Sequence, residues 1–73
     1  MKKTFFIEEG DGILRVPRPS SVNAGLSRSM WIKRITGKNS VIVSPDAWEV
    51  IKSKFPVKVL IEDDEGNVSI QDL

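Results

Sequence analysis

Apolar and polar residues alternate most regularly in the second half of the chain. Val57, Val59 and Ile61 take the odd positions of Val57 to Glu62, and Val41 and Val43 take those of Ser40 to Val43. A period of two over β-branched residues predicts strands that turn one face toward a core. Between these stretches the period changes: Ala47, Trp48, Ile51 and Phe55 fall on one helical stripe, with Glu49, Lys52 and Lys54 outside it. The start of this helix is written in Ser44-Pro45-Asp46, a hydroxyl that accepts from orphan backbone N–H groups, a proline suited to the first turn and an acid that favours the positive end of the dipole. Val43 and Trp48 have the spacing of a hydrophobic staple. Pro56 stops the helix and drives Phe55 out of the α region. The spacing predicts a helix over Pro45 to Lys54, packed on the odd-numbered face of its flanking strands.

Beyond Glu62, the turn residues Asp63-Asp64-Glu65-Gly66-Asn67 lead into a short strand at Val68 to Ile70. At the front, Thr4 to Glu8 and Ile13 to Val16 flank Glu9-Gly10-Asp11-Gly12 and read as a hairpin. Met30 to Thr36 reads as another strand, joined to Ser40 to Val43 through a tight turn at Gly37-Lys38-Asn39. Residues 17–29 hold Pro17, Pro19, four serines, Asn23 and Gly25, and are expected to form a mobile loop. The elements describe one α+β domain over residues 1–73, ordered β-β-loop-β-β-α-β-β, with a single helix on an antiparallel sheet.

In Met30 to Thr36 both strand parities are mixed. Burial of Lys33 without a partner is costly, so Met30 and Ile32 are expected inward and Trp31, Lys33 and Ile35 outward. That outer strip needs a cover, either the N-terminal hairpin with Phe5, Ile7, Ile13 and Leu14 or a second chain.

Seventy-three residues, 40% of them apolar, suffice for one core, and the absence of cysteine removes disulfides and thiolate metal sites. A core of this size supplies about 3–5 kcal/mol, which favours association into an oligomer. Histidine is absent as well, and with it the commonest general base and transition-metal ligand. A chain this short rarely builds a cleft that buries a substrate. The expectation is a protein without enzymatic activity, cofactor or metal. Thr36-Gly37-Lys38 lacks the glycines and hydroxyl of a P-loop, and Glu62 to Asn67 lacks the alternating ligands of an EF-hand. Glu8, Glu9 and Asp11 interrupt the apolar start before it resembles a signal peptide, and no stretch approaches the roughly 20 apolar residues of a membrane span. Cytoplasmic placement is expected.

Charge is distributed unevenly. The 34 residues from Gly12 to Pro45 contain no acid and carry Arg15, Arg18, Arg28, Lys33, Arg34 and Lys38, while the 15 residues from Val59 to Leu73 contain five acids and no base. The total is only +1, against the clearly basic totals of dedicated nucleic-acid binders. Two poles of opposite sign fit contacts with protein, including a second copy of the chain. The expected partner-binding residues are Arg18, Arg28, Trp31, Lys33, Arg34, Ile35 and Lys38. In an alternative reading these residues track a phosphate backbone, with Trp31 as a stacking platform.

From Gly25 to Glu62 the chain resembles a small module in proteins encoded near the head genes of Mu-like bacteriophages. The resemblance lies in Gly25 and Arg28 ahead of an aromatic strand Met30-Trp31-Ile32, a strand Val41-Ile42-Val43-Ser44, a helix from Asp46 to Lys54 and a closing strand Val57-Lys58-Val59-Leu60. Where Pro56 follows the helix here, the module tends to carry an Asp-Pro of different phase, and the N-terminal hairpin and the acidic C-terminal strand have no clear counterpart there. The resemblance implies an accessory, structural role in a virion or its assembly and supplies no catalytic residue. Together with the charge pattern it predicts a non-enzymatic protein-protein interaction module. The alternatives are a nucleic-acid-binding module and a phage inhibitor that occupies a nucleic-acid site on host machinery.

Overall fold

Ser21 begins the helix that organises the molecule. In a computed structural model that describes all 73 residues apart from the Val22 side chain, the Ser21 hydroxyl accepts from the Ala24 N–H and Gly37 closes the far end in the left-handed region (φ 76°), donating its N–H to Lys33 O at 2.8 Å. The elements are β1 (Lys2–Glu8), β2 (Leu14–Pro17), α1 (Val22–Thr36), β3 (Ser40–Val43), α2 (Pro45–Lys52), β4 (Lys58–Glu62) and β5 (Val68–Asp72). The class is α+β, as expected, with two helices and one mixed five-stranded sheet in the order β3-β2-β1-β4-β5.

Two expectations are overturned by α1. The stretch 17–29 is not a loop throughout, since its C-terminal part lies in α1, and Met30 to Thr36 is helix rather than strand. The cause is the pairing of β2 with β3, which is parallel. Parallel neighbours cannot be joined by a tight turn, so the chain has to cross the sheet and return. Hydrogen bonds from Leu14 N–H to Asn39 O (2.9 Å) and from Arg18 N–H to Val43 O (3.1 Å) bracket that pairing, and the Ser29 and Ser40 hydroxyls, 2.6 Å apart, tie the crossing helix to β3. Gly37, expected in a hairpin, is therefore a helix cap.

Registers put even-numbered residues of all five strands on one face: Glu8 lies opposite Leu14, Thr4 opposite Leu60, Val16 beside Ile42 and Leu60 opposite Ile70. Under α1 this face forms the main core of Phe6, Leu14, Val16, Leu60, Trp31 and Ile32, with Ile42 against it. A helix places residues i, i+3, i+4 and i+7 inward, which here are Gly25, Arg28, Ser29 and Ile32. Gly25 is small for a reason. A Cβ there would lie 3.3 Å from the Pro19 ring, where the segment entering α1 crosses the helix. The N-terminal hairpin, one of the two candidate covers for the outer strip, supplies instead interior strands of the sheet.

On the odd-numbered face Ile7 is fully buried and Val59 nearly so. A bare face could not bury Ile7, and α2 is the remaining helix, packed along β2. Its cap is as read: the Ser44 hydroxyl accepts from Ala47 N–H at 3.2 Å. None of its residues is fully buried, so the expected principal helix is the minor one. Turns at both hairpins are held by an acid, Asp11 accepting from Ile13 N–H and Asp63 accepting from Glu65 and Asn67 N–H.

Met30 and Ile32 separate the two readings of this segment, because they share a face in a strand and not in a helix. Ile32 is fully buried and Met30 is 74% exposed. Ile32→Ala should lower stability by about 2–5 kcal/mol in urea titrations, and Met30→Ala by less than about 0.5 kcal/mol.

Candidate interaction surface on the first helix

The exposed arc of α1 carries Asn23, Leu26, Ser27, Met30, Lys33 and Arg34. No acid occurs anywhere in the helix. Residues i and i+4 are neighbours on a helical surface, so Leu26, Met30 and Arg34 form a continuous ridge, with Lys33 beside Met30. Leu26 and Met30 are 61% and 74% exposed. At the edge of the ridge, Lys2 of β1 places its Nζ 4.6 Å from the centre of the Trp31 ring, a cation–π contact. Lys2, Ser27, Met30, Trp31 and Arg34 line an open groove of about 440 Å³.

Trp31 is 5% exposed and belongs to the core. Its expected role as a surface contact and stacking platform is overturned. Strand parity had placed it beside Lys33; in a helix residues two apart point to nearly opposite sides. Its indole Nε1 is buried without a hydrogen-bond partner, as is Thr4 Oγ1.

The remaining expected residues divide into separate places. Arg28, Lys33 and Arg34 share α1, with Arg28 half-buried toward the sheet. Arg18 lies apart, in a groove of about 430 Å³ with Pro19, Ser20, Gly25, Leu26 and Ile42. Ile35 and Lys38 border a different groove, of about 350 Å³, between the end of α1 and β5, and Lys38 forms an ion pair with Glu8. Among the described residues Arg18, Arg28, Lys33 and Arg34 have no carboxylate within 4.0 Å, whereas Arg15 is held by Glu9 and Asp11. The acid-free run therefore contains two kinds of cation: Arg15 and Lys38, paired within the molecule, and Arg18, Arg28, Lys33 and Arg34, which are not. Leu26, Met30 and Lys2 were missed as surface residues. The i, i+4 spacing of Leu26, Met30 and Arg34 points to the first two once the segment is read as helix, and Lys2 of β1 joins them only through the fold.

The acidic turn between β4 and β5 is built on Asp63, whose carboxylate accepts from Glu65 N–H, Asn67 N–H and the Asn67 amide. Those bonds spend its oxygens on shaping the turn. Backbone N–H donation from Asn67 foremost holds the Asp63 carboxyl below its ordinary value of 3.8, and the Arg15 side chain does the same for Asp11. No helix among the described residues is long and apolar enough to cross a membrane. No family model, curated protein or solved structure matches the chain.

Because the folded pKa of Asp63 lies below 3.8, its contribution to stability is complete above the unfolded value and is lost as pH falls through the folded one. Asp63→Asn should be less stable than the wild type at neutral pH, and urea midpoints of the two proteins should converge as the pH drops below 3.8. A gap that persists unchanged into acid contradicts this role of the ionised carboxylate.

Proposed function

We propose that the chain is a non-enzymatic interaction module that binds an acidic protein surface through the exposed face of α1. One observation carries this reading: an acid-free helix presents unpaired Lys33 and Arg34 around the exposed side chains of Leu26 and Met30. Apolar centres rimmed by charge are the anatomy of protein interfaces. A phosphate backbone gains little from exposed leucine and methionine, and with Trp31 in the core the surface lacks an aromatic on which bases could stack. The low net charge of +1 points the same way.

The likeness to the Mu-like phage module suggests a setting in which the partner is another component of a virion or its assembly. It rests on fewer pieces than the sequence implied. Val41 to Ser44, the capped helix that follows and the closing strand from Lys58 keep their forms, while Met30-Trp31-Ile32 is helical here. Placement in a host cytoplasm or a particle follows from the same reading.

A direct test is titration of the folded protein with polyglutamate and, separately, with double-stranded and single-stranded DNA, followed by amide NMR. Polyglutamate should shift residues 26–34 selectively, and Lys33→Glu with Arg34→Glu should weaken that binding at least ten-fold. Tighter binding of DNA, with affinity that falls steeply in salt, would favour the nucleic-acid reading instead. Shifts centred away from α1 would contradict the proposal.

A further inference from the structure

The geometry points to β5 as a second, self-complementary interface, through which two copies of the chain join their sheets across a two-fold axis at Ile70. This surface is separate from the α1 face and does not depend on it.

β5 is an outer strand of the sheet, and all five of its residues are exposed. Soluble proteins usually protect such an edge with lysine, proline, a bulge or very short length. Val68-Ser69-Ile70-Gln71-Asp72 contains neither lysine nor proline, and its pairing with β4 runs without interruption from Val68 to Asp72. The opposite edge, β3, has only four residues and runs directly into Ser44-Pro45.

The backbone groups that point outward can be identified. Leu73 N–H donates to Val57 O, and Asn67 O accepts from Asp63 N–H. Both are odd-numbered members of the final segment and both bond inward to the chain across from it. Alternation along an antiparallel ladder then turns the N–H and C=O of Val68, Ile70 and Asp72 outward. An antiparallel copy centred on Ile70 satisfies every one of these groups: Ile70 exchanges both bonds with Ile70 of the second copy, and Val68 exchanges both with Asp72 of the second copy.

Side chains fit the same register. A two-fold axis perpendicular to the sheet keeps the even-numbered faces together, so Leu60, Ile70 and their two equivalents form one apolar row. Ile70, now 53% exposed, would be covered there by its own equivalent. The flanking row reads Lys2, Glu62, Val68, then Asp72 and Lys58 of the second copy, from the observed pairs of Lys2 with Glu62, Glu62 with Val68 and Lys58 with Asp72. Each carboxylate neighbours a lysine of its own chain, and Val68 separates the two acids. A parallel copy in register would set Asp72 against Asp72. Charge and hydrogen bonding thus select a second, antiparallel copy over other occupants of this edge.

The experiment is sedimentation or light scattering of the full chain over a wide concentration range, together with cysteine cross-linking. Wild type should move from one to two chain masses as concentration rises, and Ile70→Lys should keep a single chain mass throughout. Since the chain has no cysteine, Ile70→Cys creates a single thiol. Hydrogen-bonded antiparallel pairs have Cα atoms ~5.5 Å apart, inside the disulfide range of about 4.4–6.8 Å. Under mild oxidation Ile70→Cys should form a disulfide dimer at least ten-fold faster than Val41→Cys on β3. Equal rates, a wild type that stays monomeric at every concentration, or open-ended assemblies dissolved by Val41→Lys would each overturn the two-fold β5 interface.

Discussion

Parallel pairing of β2 with β3 is the constraint from which the remaining features follow. Two strands that lie side by side and run the same way leave the chain at the wrong end of the sheet, so the link between them has to span its length. That link is α1. As it crosses, it covers the even-numbered face, supplies Trp31 and Ile32 to the core and leaves an acid-free helical surface outside. Had these segments formed a hairpin, Trp31 and Lys33 would share a face and the molecule would lack its principal core.

The arrangement also explains how so short a chain divides its charges. Arg15 and Lys38 sit where the β1–β2 hairpin brings acids within reach, and both are paired. Lys33 and Arg34 sit on the outer arc of α1 and are not. A run that looks uniformly basic in sequence becomes a paired set and an unpaired set, and of the unpaired set Lys33 and Arg34 lie beside the exposed Leu26 and Met30. That composition is the ground for the proposed protein partner. At the far edge β5 is a different kind of surface, an exposed and uninterrupted strand edge whose proposed pairing rests on backbone register and the placement of charge together.

Local signals were legible and non-local ones were not. β3 ends where its alternation ends, Ser44 caps α2 and Asp63 shapes the turn before β5, because each depends on residues within four positions of one another. For α1 the inward positions are Gly25, Arg28 and Ser29 as well as Ile32, and the outward ones include Leu26 and Met30. Apolar residues on the solvent side and small or polar ones beneath flatten the helical period, while Pro17 and Pro19 suggest a loop that in fact ends at Ser21. The pairing of β2 with β3 joins residues such as Arg15 and Val41, distant in sequence and invisible to periodicity. The surface of α1 followed the same division: charge alone singles out Lys33 and Arg34, Trp31 was misplaced with its strand, and the exposure of Met30 and the approach of Lys2 to Trp31 needed the fold.

Nuclear Overhauser contacts in the isotope-labelled protein test this account at its centre. Sequential amide contacts should run without a break from residue 22 to residue 36, and backbone contacts should join Arg15 to Val41 in a parallel pattern. Antiparallel contacts between Met30–Thr36 and Ser40–Val43, with extended-chain shifts at Trp31 and Ile32, would contradict it.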